Sequence, residues 1–391
     1  MSLILALDQS TSATKAVLFD AHGQVLDRAS REHRQIYPQP GWVEHDAEEI
    51  WRNVLEVVSE VAGRNRDRLS QLAGLSIANQ RETVLVFDRG TGKPLHNAIV
   101  WLCRRGEPIC RQLREQEKMV NAKTGLKLDA YFSASKIKWL MDAKPDIAAK
   151  LKSGPALIAT MDAFLVHRLT GGKTFATDHT NASRTLLFDV RQLRWDERLC
   201  ELFNAPRVAL PEVRESAAEF GETDVAGILP SPVPIRGVMG DSQASLFAQC
   251  CFQPGMAKAT FGTGTSVLLN VGEEFRLSNG GAVSALAWVW HGKPTYAFEG
   301  IINFSAATIS WLKTQLGLIQ SSSEAGPLAA SVPDNGGVYL APAFSGLSAP
   351  YWRPDARAAL IGMTAHTRKE HIVRAAEEAI AYQIRAVLEM M

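Results

Sequence analysis

Several features that would assign a function class at once are scarce or missing in this chain. The 391 residues include five cysteines, an odd number without a Cys-x-x-Cys pair, and this usage suits reduced thiols in a cytoplasmic protein. The nine histidines show no metal-ligand spacing, so we do not expect a zinc site. The net charge is only +1, with acidic and basic residues interspersed, which argues against nucleic acid as a partner.

Membrane and targeting signals are missing as well. No apolar segment is long and uninterrupted enough to cross a bilayer, so membrane insertion is not expected. A strand pattern begins within two residues of Met1, which leaves no room for a signal peptide and predicts a cytoplasmic protein. A Walker A loop, a protein-kinase glycine-rich loop and a Ser-His-Asp arrangement are also missing.

The patterns that are present predict an α/β protein. The length suggests two or three domains, and strand-like and helix-like stretches alternate along roughly the first 250 residues. They predict strands at 4–7 and 16–19 and helices at 48–63, 161–169 and 196–203. We place a boundary near residue 251, with domains at 1–251 and 252–391. The chain stops inside the apolar-periodic helix Ala379–Met391 without a cap signal, so the second domain is expected to be incomplete.

Two carboxylates stand where strand patterns end. Asp241 closes the apolar run Val233–Met239, and Asp8 ends the first strand. A hairpin rich in Ser and Thr follows Asp8 directly, at residues 9–14, and one rich in Gly and Thr comes about twenty residues after Asp241, at residues 260–266. Their amides and hydroxyls suit phosphate oxygens. Two such carboxylates also suffice for Mg²⁺, which keeps several waters. The alternative is that Asp and Ser merely stabilise tight turns by bonding their own backbone.

Further polar and aromatic side chains follow buried strands. Arg81 and Glu82 could clamp the hydroxyls of a polyol, or they could form a structural ion pair. Trp101 and Tyr131 could line a small pocket or belong to the core. Helix-like segments carry basic residues that could bind phosphate but that we expect on solvated faces, namely Arg104, Arg105, Lys136 and Lys138.

Short segments spread nearly end to end carry a family resemblance, at residues 7–11, 36–46, 79–83, 97–101, 131–139, 180–185, 240–241, 261–264 and 346–352. In this order they resemble the FGGY carbohydrate kinases, most closely the glycerol kinases. The resemblance implies two lobes of ribonuclease-H/actin type with an active-site cleft between them. It also implies transfer of the ATP γ-phosphoryl group to a polyol or keto-sugar hydroxyl, and a homo-oligomer, either a dimer or a tetramer.

The resemblance assigns roles to individual positions. Asp241 is expected as the catalytic base, and Asp8 and Asp241 as the residues that hold Mg²⁺. The polyol pocket is expected at Arg81, Glu82, Trp101, Tyr131, Asp241, Ser242 and Ser266. The ATP site is expected at Thr11, Ser12, Ala13, Lys15, Thr263, Ala306 and Ser310.

Several positions depart from the family pattern. Ser242 and Ser266 stand where glycerol kinases usually carry Gln and Phe, so the pocket is expected to be larger and more polar. Ala306 and Ser310 replace the usual Gly and Gln, and a family segment beyond residue 391 that contacts the adenosine is not in this sequence. Glycerol is therefore the first expectation. Erythritol, xylitol, xylulose and ribulose remain competitors, and so does a non-catalytic binding protein of the actin-like superfamily.

Overall fold

The computed structural model describes residues 2–344, 346–353 and 355–391. The chain forms two compact units, the first with residues 1–244 and 285–295 and the second with residues 245–284 and 296–391. The boundary predicted at residue 251 stays a prediction. None of the helices in the described part of the chain is long and apolar enough to cross a membrane.

The first unit mixes strands and helices. Its strands are β1 Leu3–Gln9, β2 Ala13–Phe19, β3 Val25–Glu32, β4 Glu44–His45, β5 Leu72–Asn79, β6 Val84–Asp88, β7 Ala98–Ile99, β8 Ala156–Thr160, β9 Ala176–Asp178, β10 Phe188–Asp189, β11 Arg194–Trp195, β12 Glu212–Arg214, β13 Glu222–Thr223 and β14 Val233–Gly240. Its helices are α1 Ala47–Arg64, α2 Glu107–Gln112, α3 Glu117–Thr124, α4 Ser133–Ala143, α5 Pro145–Ser153, α6 Met161–Leu169, α7 His179–Ala182, α8 Glu197–Leu202 and α9 Asp241–Ala248, which continues into the second unit.

A six-stranded mixed sheet in the order β13-β14-β5-β1-β2-β3 organises the first unit. Strands β14, β5 and β1 are parallel, while β1, β2 and β3 form an antiparallel meander. Parallel neighbours end at the same edge of a sheet, and here Asp8 pairs with Ala78 and Gly240 with Asn79. This edge therefore carries both predicted strand-end carboxylates. A second sheet has the order β4-β7-β6-β8.

Helix α1 stabilises the sheet by burying its apolar face in the same core. Asp46 caps its first turn by accepting the backbone N–H of Glu48 at 2.9 Å. Its apolar residues recur at helical spacing and are fully or almost fully buried in the core cluster that includes the sheet, among them Ile50, Val54, Val57, Val58 and Val61. The helices predicted from periodicity at 48–63, 161–169 and 196–203 are confirmed to within a residue or two.

The second unit is built around a smaller sheet. Its strands are β15 Ala257–Phe261, β16 Thr265–Gly272, β17 Val283–Trp290, β18 Lys293–Ile302, β19 Tyr339–Ala341 and β20 Ala359–Ile361, and its helices are α10 Ala306–Thr314, α11 Ala325–Ala330 and α12 Lys369–Met390. β17 and β18 extend into the residues assigned to the first unit. β15, β16 and β18 pair antiparallel, and α10 and α12 pack on an apolar cluster that includes Leu312, Ile319 and Val373.

Candidate active site

Asp241 stands at the junction of β14 and α9. Its Oδ1 atom accepts the backbone N–H of Ser242 at 2.6 Å and lies 3.3 Å from Nε of Arg81. Arg81 also donates from Nη1 to Oε1 of Gln243 at 3.2 Å. The Asp241 side chain is 44% exposed while that of Arg81 is 4% exposed. A reachable carboxylate is thus oriented by a buried guanidinium.

Gly240 is required by this arrangement. A Cβ atom at this position would lie 2.8 Å from Cγ and Cδ of Arg81 and 3.2 Å from Oε1 of Gln243. Contacts this short force the neighbouring side chain to move. The absence of a side chain at Gly240 therefore lets Arg81 reach Asp241.

Glu82 is held in an unusual backbone conformation. Its φ is +59°, in the left-handed region that non-glycine residues seldom adopt. The hydroxyl of Ser133 donates to its carbonyl at 2.9 Å, and Nε of Arg184 donates to its Oε1 at 2.6 Å. Arg81 Nε lies 4.0 Å from the same oxygen. Glu82 is thus fixed by buried partners beside Arg81, and both the clamp and the structural ion pair fit this geometry.

The predicted aromatic pair is in contact. The rings of Trp101 and Tyr131 are 5.3 Å apart at 59°, and Nε1 of Trp101 donates to Oγ1 of Thr11 at 2.9 Å. The backbone N–H of Trp101 donates to Oγ1 of Thr83, the residue after Glu82. Trp101 therefore joins the first hairpin to the Arg81–Glu82 segment.

Lys136 corrects the expectation of a solvated face. It is fully buried, and its Nζ donates to the carbonyls of Tyr131 at 2.5 Å and Phe132 at 3.2 Å. Burial lowers the pKa of Lys136 to about 8. The same expectation is wrong for Arg105, which is buried against the rings of Trp42 and Trp139 and bonded to Glu44.

Side chains secure the first hairpin at residues 9–14. The carbonyl of Thr11 accepts from Nε2 of His33 at 2.9 Å and from Nε2 of Gln35 at 2.7 Å, so His33 carries its proton on Nε2. Ser10 donates to the carbonyl of Ala13 at 2.9 Å. Among the hydrogen bonds of the described residues, the backbone amides of Thr11 and Ser12 have no acceptor, and they suit phosphate oxygens.

The two carboxylates at the sheet edge fit a hard cation. Asp8, 38% exposed, pairs with Lys15 at 2.9 Å. Strands β1 and β14 flank β5, so Asp8 and Asp241 are separated by two strand spacings, about 10 Å. Within the described ranges there is no cluster of three or more His, Cys, Asp or Glu suited to a metal. Mg²⁺ bound mainly through water and phosphate needs only one or two carboxylates, so the donor set fits it.

Backbone contacts secure the second hairpin, at the turn between β15 and β16. Its carbonyls Gly262 and Thr263 accept the N–H groups of Ala306 and Ser305 at 3.0 and 2.9 Å. A Cβ at Gly264 would overlap the carbonyl oxygen of Ile302. Thr263 is exposed at the tip. Because the Ala306 amide is already bonded, its methyl group is what Ala306 can offer a nucleotide.

Ser266 and Ser310 have different surroundings in the second unit. The hydroxyl of Ser266 donates to Oε1 of the buried Glu299 at 3.0 Å, while Nζ of Lys258 lies within hydrogen-bond distance of the Ser266 carbonyl. Ser310 is exposed and its hydroxyl lies 3.4 Å from the carbonyl of Ala306. The roles predicted for both residues stay predictions.

Sequence reasoning missed several residues that support the site. Gln243, Thr180, Asn181 and Arg184 all contact its members or their neighbours through buried hydrogen bonds. The segment 180–185 carries part of the family resemblance, but no periodicity or spacing assigns it a role. Its density of Thr, Asn, Ser and Arg directly before the apolar run at residues 186–188 is the available signal.

Comparison with known proteins identifies the family. Models for the N-terminal and C-terminal domains of the FGGY family of carbohydrate kinases match residues 3–248 and 257–391. The chain belongs to the FGGY family of carbohydrate kinases. This confirms the family expected from the sequence motifs, and with it an ATP-dependent phosphotransferase.

Individual FGGY relatives are similar along the whole chain. A glycerol kinase of Desulfitobacterium hafniense is 48% identical over 390 residues, which are 99% of this chain and 79% of the relative. Glycerol kinase 2 of Thermotoga maritima is 46% identical over 395 residues, 100% of this chain and 79% of the relative. The crystal structure of Plasmodium falciparum glycerol kinase with ADP matches with a TM-score of 0.91 at 39% identity, covering 100% of this chain and 78% of that one. The expected two-domain, actin-like fold is thereby confirmed.

Proposed function

We propose that this FGGY kinase transfers the γ-phosphoryl group of ATP to a terminal hydroxyl of glycerol, giving glycerol 3-phosphate and ADP. The observation that carries the proposal is the contact of Arg81 with Asp241, beside Glu82. It combines donors, acceptors and a reachable carboxylate at one sheet edge. The names of the relatives favour glycerol among the possible polyols.

The substrate contacts follow from the chemistry of these side chains. Arg81 would donate to one hydroxyl, and Glu82 would accept from another. Trp101 and Tyr131 would contact the carbon chain, since an aromatic face suits C–H groups. A short polyol offers only hydroxyls and a small apolar surface, and this set addresses both.

Asp241 would serve as the general base. Its carboxylate accepts the proton of the terminal hydroxyl while that oxygen bonds to the γ-phosphorus and the bond to the β–γ bridging oxygen breaks, releasing ADP. Arg81 and the Ser242 amide, both at Oδ1, keep the carboxylate oriented for this step. Mg²⁺, held by Asp8 and Asp241 largely through water, would supply charge stabilisation to the phosphates.

Each hairpin offers groups suited to a nucleotide. In the first hairpin we assign the phosphates to the amides of Thr11, Ser12 and Ala13 and to the Lys15 ammonium, which pairs with Asp8 here. In the second we assign Thr263 to the phosphates. Ala306 and Ser310 are proposed to lie along the nucleoside, where small side chains offer surface rather than strong hydrogen bonds.

A longer polyol or a ketopentose is the second candidate, and the serines favour it. Ser266 carries a short side chain bonded to Glu299, and Ser242 is short as well. Both would leave room that Phe and Gln would fill. A panel of glycerol, erythritol, xylitol, xylulose and ribulose, scored by ADP release, tests the choice. The highest kcat/KM for glycerol supports the proposal, whereas a longer substrate that exceeds glycerol by about tenfold supports the alternative.

Two further proposals concern the cellular compartment and the oligomeric state. We propose a cytoplasmic enzyme, because all five cysteines lie in the described part of the chain and none forms a disulfide. We also propose a homo-oligomer, a dimer or a tetramer. Sedimentation equilibrium tests this directly, and a monomer at micromolar concentration would contradict it.

A further inference from the structure

The segment Asp178–Arg184, which comprises helix α7 and its flanks, is buried throughout. Its first residue, Asp178, accepts hydrogen bonds from the Thr180 backbone and hydroxyl, from the Asn181 backbone and side chain, and from the Ser216 hydroxyl at 2.7 Å. A buried carboxylate with this many donors fixes the geometry of everything bonded to it. The N-terminal end of the segment is therefore held rigidly.

Thr180 connects this segment to the proposed base. Its hydroxyl proton is directed at Asp178, at 2.7 Å, and its oxygen accepts the backbone N–H of Gly240 at 2.9 Å. A hydroxyl has one proton and two lone pairs, so both bonds coexist. Gly240 is the residue immediately before Asp241. The hydrogen bond between Gly240 and Thr180 therefore fixes the backbone direction at Asp241, and with it the orientation of the Asp241 carboxylate.

Asn181 fixes the neighbouring strand at the same level. Its side-chain amide exchanges two hydrogen bonds with that of Asn79, at 2.9 and 3.0 Å. Asn79 pairs with Gly240 across the sheet and precedes Arg81 by two residues. The base and its guanidinium partner are thus tied to one short helix.

Arg184 connects the other end of the segment to the proposed clamp. Its fully buried side chain lies over the ring of Phe132 and donates to Glu82 at 2.6 Å. A residue at φ +59°, as Glu82 is, persists only when its surroundings hold it. Arg184 supplies part of that restraint.

We infer that Asp178–Arg184 is a positioning element with two separable arms. The first arm is the hydrogen bond of Thr180 to Gly240, which orients the proposed base Asp241. The second arm is the hydrogen bond of Arg184 to Glu82, which orients the proposed polyol clamp formed by Arg81 and Glu82. The inference rests on the proposed function for the roles of Asp241 and Glu82. It predicts different kinetic signatures, because loss of the first arm lowers kcat and loss of the second raises the KM for the polyol.

Thr180→Val and Ser216→Ala form a matched pair for the first arm. Each removes one hydroxyl donor from Asp178, but only Thr180→Val also removes the acceptor of the Gly240 amide. We expect Thr180→Val to lower kcat by about ten- to a hundredfold with the KM for ATP little changed. Ser216→Ala should stay within about twofold of the wild type, and Thr180→Ser, which keeps the hydroxyl, should recover most of the rate. Equal losses in Thr180→Val and Ser216→Ala would overturn the inference.

The second arm is tested with Arg184→Lys, which keeps the charge but not the planar guanidinium. We expect the KM for the polyol to rise by about tenfold or more while kcat falls less. A loss confined to kcat would contradict the assignment of this arm to the clamp.

Hydrogen exchange at the Gly240 amide gives a readout that does not depend on turnover. It should lose protection in Thr180→Val and keep it in Ser216→Ala. If the wild type phosphorylates no polyol, the proposed function fails, but the exchange result still decides the positioning. If the wild type is active and Gly240 is equally protected in both variants, the positioning inference alone fails.

Discussion

The two hairpins that we assign to the phosphates are secured in different ways. In the first unit, side chains hold the tip, since His33 and Gln35 donate to the Thr11 carbonyl and Trp101 donates to the Thr11 hydroxyl. In the second unit, the backbone holds it, because Gly262 and Thr263 accept amides at the start of α10. Side-chain restraint links the first hairpin to substrate recognition through Trp101. Because backbone contacts hold the second hairpin, its conformation depends on its glycines and little on its other side chains.

We expect the largest effects from side chains in the first unit. Asp241→Asn keeps the size of the side chain but removes the base, so kcat should fall by on the order of 10²–10⁴-fold. Affinity for ATP should change little. Steady-state kinetics with glycerol measures this, and turnover within a few-fold of the wild type would remove Asp241 from its assigned role.

The second hairpin should be destabilised by substitutions that disturb its backbone packing. In Gly264→Ala the new methyl group meets the carbonyl oxygen of Ile302, whereas in Gly262→Ala the nearest atom to the new methyl is 3.6 Å away. We expect the first variant to lose about 1–3 kcal/mol of unfolding free energy and the second considerably less. Urea denaturation of both variants measures the difference. Equal stabilities would mean that close backbone packing does not secure this hairpin.

Lys136, which donates to the Tyr131 carbonyl from inside the first unit, makes the stability of the protein depend on pH. Burial lowers its pKa to about 8 from 10.5, so between these values the unfolded chain binds more protons than the folded one. The penalty for the buried charge is therefore full below about pH 8 and is relieved as the pH rises. Relative to Lys136→Met, the wild type should gain on the order of 1–3 kcal/mol between about pH 7 and pH 10. A parallel pH dependence of the two proteins would contradict this.

The smallest expected effect concerns a side chain of the second unit. Ser266→Phe replaces a hydroxyl bonded to Glu299 with a bulky ring. If the short serine enlarges the pocket, the variant should favour glycerol over four- and five-carbon substrates by about tenfold in kcat/KM. Competition assays with glycerol and xylitol measure the ratio. An unchanged ratio would leave Ser266 without a part in substrate choice.

Local features of the fold could be predicted from the sequence, and long-range ones could not. Strand alternation and helical spacing placed β1, β2, α1 and α6 because those patterns are local. The bond from Gly240 to Thr180 spans 60 residues, and that between Asn79 and Asn181 spans 102. No periodicity reports such pairings.

The buried basic residues were missed for a related reason. Lysine and arginine on helices usually extend into solvent, so a helical pattern predicted exposure for Lys136 and Arg105. Their burial depends on acceptors and aromatic rings elsewhere in the chain, such as Glu44, Trp42 and Trp139 around Arg105. The carboxylates of the candidate site could be predicted because they stand at strand ends. The residues that contact them through tertiary packing could not be predicted.

The proposed activity is tested most directly by identifying the product that the wild-type chain forms from ATP, Mg²⁺ and glycerol. Phosphorus NMR of the mixture should show one glycerol phosphate with a monoester at a terminal carbon, formed in step with ADP. Neither product should form when glycerol is omitted. ADP released at the same rate without glycerol, or a phosphate monoester that appears only with a longer polyol, would contradict the proposal that this chain is a glycerol kinase.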